Sequence, residues 1–112
     1  MNDTAVLDLE QLRNVTLDDE ELMREIVTAL IDDTCRQIPL LESAIREADP
    51  LKTMRLAHYS KGACANLGAN AAAQVLKQIE QNAARRDFPE CSASLSILAR
   101  EIDRLRSQAI TS

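Results

Sequence analysis

Apolar residues recur every three or four positions along most of this chain, the spacing that places them on one face of an α-helix. No segment shows the strict alternation of apolar and polar residues that is typical of a half-buried strand. The pattern indicates a short first helix from about Thr4 to Arg13. It also indicates a long second helix, for which Thr16 is the predicted N-cap and in which Pro39 predicts a kink or a local break.

Start and stop signals divide the rest of the chain. Asp49 before Pro50 is typical of a helix N-terminus, and Gly68 is typical of the left-handed position that follows a helix. Asp87 and Glu90 have the spacing of a capping box. The predicted helices are therefore Pro50 to about Leu67, about Asn70 to Arg85, and a last helix that follows Asp87. The five segments predict an all-α fold, an up-and-down four-helix bundle with a short extra N-terminal helix.

The composition fits a single aliphatic core. Of the 112 residues 46% are hydrophobic, with one Tyr, one Phe and no Trp, so we expect one helical domain over residues 1–112. The acidic start of the chain does not resemble a signal peptide, and no run reaches the roughly 18 apolar residues of a membrane-spanning helix. Three widely spaced cysteines predict buried free thiols in a reducing cytosol, not disulfides or a metal site: Cys35, Cys64 and Cys91. The expected location is cytoplasmic.

Charge is unevenly distributed along the chain, whose formal net charge is -5. Residues 1–51 carry four basic and thirteen acidic side chains, whereas residues 52–86 carry six basic and one acidic. A basic segment of this kind attracts an acidic partner. The overall acidity and the scarcity of aromatic residues argue against nucleic-acid binding.

The only histidine of the chain, His58, lies in the basic segment on the predicted third helix. At about 100° per residue, five residues share the face predicted to pack on the core: Leu56, Ser60, Ala63, Cys64 and Leu67. His58 points away from that face, and Arg55, Lys61 and Gly62 lie one turn from it on its own side. The histidine is therefore predicted to be exposed to solvent.

The two glycines of the chain both follow this histidine. Gly68 is explained by the end of the helix, but Gly62 lies inside the helix, where glycine costs about 1 kcal/mol relative to alanine. On the exposed face no core packing requires so small a residue. We infer that an external surface comes close at Gly62, with Ala65 one turn further on.

The residues His58, Lys61 and Gly62, followed by Gly68, resemble the H-x-x-K-G signature and second glycine of histidine-containing phosphotransfer (HPt) domains. The order of the predicted helices is similar to that family over nearly the whole chain. The resemblance implies a phosphorelay protein in which His58 carries a phosphoryl group between receiver-domain aspartates, and Lys61 offsets its negative charge. Such a protein is a phosphocarrier without nucleotide binding. Ser60 departs from the family, which usually has an apolar residue there.

The resemblance also implies partners. These are response-regulator receiver domains, including those of hybrid sensor kinases, with Mg²⁺ bound by the receiver and no metal or cofactor on this chain. Arg55, Gly62 and Ala65 are the expected docking residues, and a monomer is the expected state. The family often has Gln or Glu near the active ring on the next helix, and the sequence leaves Glu80 and Gln81 as alternatives.

Two other functions remain open at this point. One is a helical adaptor that binds a partner by its surface and is never phosphorylated. The other is an autonomous hydrolase, for which a single histidine without an evident nucleophile or metal cluster is a poor basis. A phosphorylated receiver separates the three functions, because only a phosphocarrier becomes labelled.

Overall fold

The computed structural model describes the backbone of residues 6–111 and the side chains of residues 6–108. This part of the chain forms five α-helices and no strand: α1 Leu9–Thr16, α2 Glu20–Arg46, α3 Pro50–Asn66, α4 Asn70–Ala84 and α5 Phe88–Thr111. The helix α2 packs against α3 and α5, and α4 packs against the same two, while α1 packs against α2. The prediction of an all-α fold is confirmed.

The boundary between the first two helices differs from the prediction. Asp8 caps α1, which ends at Thr16. Thr16 is not an N-cap: it is buried, and its hydroxyl donates a hydrogen bond to the Leu12 carbonyl oxygen at 2.7 Å. Asp19 caps α2 instead, by accepting a hydrogen bond from the Leu22 backbone N–H at 3.0 Å. The predicted start at Thr4 lies outside the described residues.

The turn between α1 and α2 explains why the prediction was wrong. Leu17 and Asp18 have positive φ angles of 55° and 64°. Such left-handed residues end a helix, so α2 starts only after them. Leucine rarely adopts the left-handed conformation, and the sequence has no glycine at this position that would predict it.

Pro39 lies inside α2 and does not break it: the helix is continuous over residues 20–46. Proline removes one backbone donor from the helix. Buried residues on both sides of it hold the two halves against the core: Leu30, Ile31 and Thr34 before it, and Leu41, Ala44 and Ile45 after it. The predicted local break therefore does not occur.

The other helix ends agree with the prediction. Asp49 accepts a hydrogen bond from the Lys52 backbone N–H at 3.1 Å, and Asp87 accepts one from the Glu90 backbone N–H at 3.2 Å. Gly68 has a φ of 85° after the end of α3, as expected for its position. The α3–α4 turn that this glycine allows places α4 beside α3.

The buried face of α3 is rotated relative to the predicted face. Ser60 and Cys64 are buried as expected, but three other predicted core residues are only half-buried: Leu56, Ala63 and Leu67. Thr53 and Ala57 are fully buried and were not predicted. A threonine and an alanine contribute little to a hydrophobic pattern, so the pattern missed them. The buried Ser60 hydroxyl has no hydrogen-bond partner among the described residues.

The rest of the core is aliphatic, as predicted. It includes four residues of α4 and five of α5: Val75, Leu76, Ile79 and Ala83, and Cys91, Leu95, Leu98, Ile102 and Leu105. Ala109, whose spacing in the sequence continues this face of α5, lies outside the described side chains. Cys64 and Cys91 are buried free thiols as predicted, whereas Cys35, also a free thiol, is only half-buried. None of the helices described is both long and apolar enough to span a bilayer.

Candidate functional site

His58 lies on the solvent-facing side of α3, opposite the buried residues Ala57 and Cys64. Its side chain is 69% exposed, which confirms the prediction from the periodicity of the helix. The helix itself is held by its buried face, so the ring is presented to solvent from a rigid support. This position allows a large partner to reach the ring.

Glu80 on α4 is the residue that holds the ring. Its Oε2 lies 3.1 Å from His58 Nδ1, and its Oε1 accepts a hydrogen bond from Lys61 Nζ at 2.8 Å. One carboxylate therefore joins two side chains of α3 that are three residues apart. Gln81, the other alternative, faces the groove between α4 and α5. The structure distinguishes the two residues in favour of Glu80.

The charge state of Glu80 follows from its partners. The hydrogen bond from Lys61 is the main cause that lowers the pKa of Glu80, against an opposing effect of burial, and His58 adds a smaller contribution. Glu80 is therefore a carboxylate near neutral pH. Because an ionised carboxylate only accepts hydrogen bonds, the His58 Nδ1 must carry the hydrogen between them. In the neutral ring the lone pair is then on Nε2.

Lys61 makes a different contact from the one the sequence suggested. Its ammonium group pairs with Glu80, and its side chain is only 28% exposed, although Lys61 lies one turn from His58 on the same side of the helix. Lys61 and His58 are thus connected through the Glu80 carboxylate. The signal for this arrangement was in the sequence, because Glu80 is the single acidic residue between positions 52 and 86.

The expected docking residues surround His58 on the exposed side of α3. Arg55, Gly62 and Ala65 are all exposed. Within the described part of the chain, a Cβ atom built on Gly62 would have no atom within 4 Å outside its own helix, so packing does not explain the absence of a side chain. The structure thus agrees with the argument that glycine leaves space for something outside the molecule. That these residues bind a partner stays a prediction.

The fold and the site together define a class of protein: an all-helical domain that presents one exposed histidine whose second nitrogen is fixed by a carboxylate. Residues 25–108 of the 112 match the family of Hpt domains. The chain belongs to the Hpt domain family, whose members are phosphocarrier intermediates of two-component phosphorelays and interact with receiver domains.

Solved structures of other proteins share this fold. Histidine-containing phosphotransfer protein B (HptB) from Pseudomonas aeruginosa PAO1 superposes with a TM-score of 0.85 at 23% identity, over 95% of this chain and 92% of that one. A rice protein assigned as a histidine-containing phosphotransfer protein superposes with a TM-score of 0.84 at 22% identity, over 96% of this chain and 79% of that one. No curated protein sequence matches the chain.

Proposed function

We propose that this chain carries a phosphoryl group on His58, accepting it from an aspartyl phosphate on one receiver domain and passing it to the aspartate of another. The observation that carries the proposal is the contact between His58 Nδ1 and Glu80 Oε2 at 3.1 Å on an exposed helix face. It directs the reactive nitrogen outward, where a partner can reach it. The finer architecture we propose is an up-and-down bundle of α2 to α5 with α1 as an extra helix, acting as a cytoplasmic monomer.

The transfer begins with attack by the Nε2 lone pair of His58 on the phosphorus atom of the aspartyl phosphate. The N–P bond forms as the P–O bond to the aspartate breaks, and the aspartate carboxylate leaves with the bonding electron pair. The Nδ1 proton stays on the ring, which becomes a phosphorylated imidazolium. Because the Glu80 carboxylate accepts a hydrogen bond from Nδ1–H, it stabilises the positive charge that develops there.

Reversal of the same steps delivers the phosphoryl group to a second receiver. A ring that keeps its Nδ1 proton leaves as neutral imidazole, which is a better leaving group than an imidazole anion. Glu80 therefore favours a form of phosphohistidine that is ready for transfer in either direction. Glu80 thus promotes both steps without choosing between the two receivers.

Lys61 is proposed to stabilise the site both before and after His58 is phosphorylated. Before transfer it pairs with Glu80 at 2.8 Å. After transfer the phosphoryl oxygens on His58 compete with Glu80 for the same ammonium group, since a lysine side chain has three donors and several rotatable bonds. The contact between Lys61 and the phosphoryl oxygens then offsets part of the destabilisation of the site that a second anion beside Glu80 would otherwise cause.

The receiver supplies the rest of the chemistry. Its bound Mg²⁺ is expected to neutralise the transferring oxygens, so this chain needs a positioned nucleophile and a surface on which the receiver docks. Arg55 adds positive charge near His58 for an acidic receiver pocket, and Gly62 leaves space for it. Neither nucleotide nor metal is required on this chain in the proposal.

The proposal is tested with a receiver domain phosphorylated with radioactive phosphate and mixed with this protein. Label should pass to the wild-type chain and not to His58→Gln, and it should be acid-labile and alkali-stable, as expected for a phosphoramidate. Gln81→Ala is the matched control, because Gln81 is exposed on α4 beside Glu80 but faces another groove. Stable binding of the receiver without any label would support the adaptor function instead, and label in His58→Gln would contradict the proposed site.

A further inference from the structure

The C-terminal end of α3 is held by a side chain from α1. Gln11 Nε2 donates hydrogen bonds to the backbone carbonyl oxygens of Ala65 at 2.6 Å and Asn66 at 3.1 Å. The last carbonyl groups of a helix have no partner within it. The Ala65 carbonyl also accepts a hydrogen bond from the Gly68 backbone N–H at 3.3 Å. No basic residue lies in the last turn of α3, and among the described residues no loop or turn N–H donates to the Asn66 carbonyl. Gln11 therefore caps α3 from a distant part of the chain.

A second contact fixes the start of α1 on the same turn. The Asp8 backbone N–H donates a hydrogen bond to the Gly68 carbonyl oxygen at 2.7 Å. A Cβ atom on Gly68 would lie 2.7 Å from the Asp8 carbonyl oxygen, closer than side chains come to backbone in proteins. Gly68 is thus required by the approach of Asp8 as well as by its left-handed φ, although the end of the helix had appeared sufficient. Leu7 and Leu12 on either side are buried and anchor the segment.

The turn held by these contacts, Ala65–Gly68, begins on the same face of α3 as His58. Ala65 follows His58 by seven residues, which is two helical turns or about 10 Å along the axis. Gly62 lies between them, and all three are exposed. A partner that docks over His58 and Gly62 therefore meets the turn that Gln11 holds. If that turn frays, docking must first order it, and the ordering cost weakens binding more than it slows the chemical step.

We propose that Gln11 is a positioning residue for receiver docking, a role that rests on the proposed function of the chain. We call residues 7–12 the clamp, because they hold the Ala65–Gly68 turn in place. Gln11 is the residue of the clamp whose side chain contacts that turn. Loss of Gln11 should change how tightly a receiver binds and leave the reactivity of His58 unchanged.

The test measures the initial rate of transfer from a phosphorylated receiver over a range of receiver concentrations. Gln11→Ala should raise the half-saturating concentration about three- to tenfold, the range expected for one or two lost hydrogen bonds, with little change in the maximal rate. Gln11→Glu, which has the same shape but no donor, should be impaired at least as much, because it also places an anion at a helix C-terminus. Gln11→Lys restores a donor and should return close to wild type.

Controls separate this proposal from the function on which it rests. Asn14→Ala, at an exposed position on the same helix, should behave like wild type. Phosphoramidate, a small phosphoryl donor that needs no docking, should label His58 equally in all variants, and thermal unfolding should show that each is folded. Unchanged half-saturation in Gln11→Ala and Gln11→Glu, or no rescue by Gln11→Lys, would overturn the positioning role. Failure of wild type to accept label from either donor would overturn the proposed function itself.

Discussion

At the scale of single residues, Glu80 contacts two side chains, and the charge carried by one of them, His58, changes during the proposed reaction. Before transfer it binds Lys61 and the His58 ring with its two oxygens. When His58 carries a phosphoryl group, a second anion competes for Lys61. The Glu80 carboxylate therefore assists attack by the ring. At the same time it makes the phosphoryl group easier to remove from His58.

Replacing Glu80 with glutamine tests this balance. Glu80→Gln keeps the shape and an acceptor for Nδ1–H but removes the charge, so transfer to His58 should slow by roughly tenfold or less, as for a partly exposed charged hydrogen bond. Lys61 is released to the phosphoryl group, and the lifetime of the phosphohistidine should lengthen. Both are measured with labelled receiver, against Gln81→Ala as the control. A faster transfer or a shorter lifetime would contradict the role given to Glu80.

The sequence could predict His58 but not its partner. The exposure of His58 follows from the periodicity of a single helix. The identity of Glu80 as its neighbour depends on how α4 is rotated against α3, and one residue changes that rotation by about 100°. The family resemblance pointed to two adjacent residues, and only the packing of the two helices distinguishes them.

At the scale of elements, α3 has to combine a packed face with an open one. Its buried face consists of small or polar residues, namely Thr53, Ala57, Ser60 and Cys64. Small residues let α4 approach closely enough for Glu80 to reach across to α3. This is why the hydrophobic pattern of α3 was weak and its predicted core face was rotated.

Gly62 provides a test of the open face of α3. Gly62→Gln should not lower the melting temperature, because a Cβ there meets open space and glutamine gains up to about 1 kcal/mol in helix propensity. Transfer from a receiver should nevertheless become much slower, since the side chain stands one turn from His58. Thermal unfolding and transfer kinetics of the same preparation check both effects. A clear drop in melting temperature, or transfer at the wild-type rate, would contradict the argument for clearance.

Ser60 provides a test of the packed face. In the part of the chain that the structure describes, its hydroxyl is buried without a hydrogen-bond partner, which costs free energy that alanine avoids. Ser60→Ala should therefore raise the free energy of unfolding by about 1 kcal/mol. Ser92→Ala, at an exposed position on α5, is the control and should change little. Urea denaturation measures both variants, and a destabilised Ser60→Ala would mean that the hydroxyl has a partner in solution.

At the scale of the whole molecule, local signals predicted most of the architecture. The caps at Asp49 and Asp87 and the turn at Gly68 were all readable, because each depends on a few neighbouring residues. The start of α2 was predicted wrongly, because Leu17 adopts a left-handed conformation that its residue type does not indicate. The clamp of Gln11 on α3 joins residues 54 positions apart and has no local signal.

The stability of the whole domain should depend on pH through Glu80. Its pKa is lower in the folded state than its ordinary value, so the unfolded chain binds more protons on acidification. The stabilisation by Glu80 is thus fully present above the pKa that this carboxyl has in the unfolded chain, and it is lost as pH falls through the folded pKa. For a partly exposed ion pair we expect about 1 kcal/mol or less.

Urea denaturation of wild type and Glu80→Gln from pH 3 to pH 7 measures this contribution. The wild type should be the more stable protein near neutral pH, and the difference should shrink on acidification. A difference that stayed constant, or grew as the pH fell, would contradict the charge state assigned to Glu80.

In the proposed mechanism His58 carries the phosphoryl group on Nε2 while Nδ1 keeps its proton beside Glu80. Protein labelled with ¹⁵N in the histidine ring, phosphorylated by a receiver, can be examined by NMR for coupling between phosphorus and each ring nitrogen. Phosphorus should couple to Nε2, and the proton should stay on Nδ1. Phosphorus coupled to Nδ1, or a ring that remains unmodified while the receiver loses its phosphate, would contradict it.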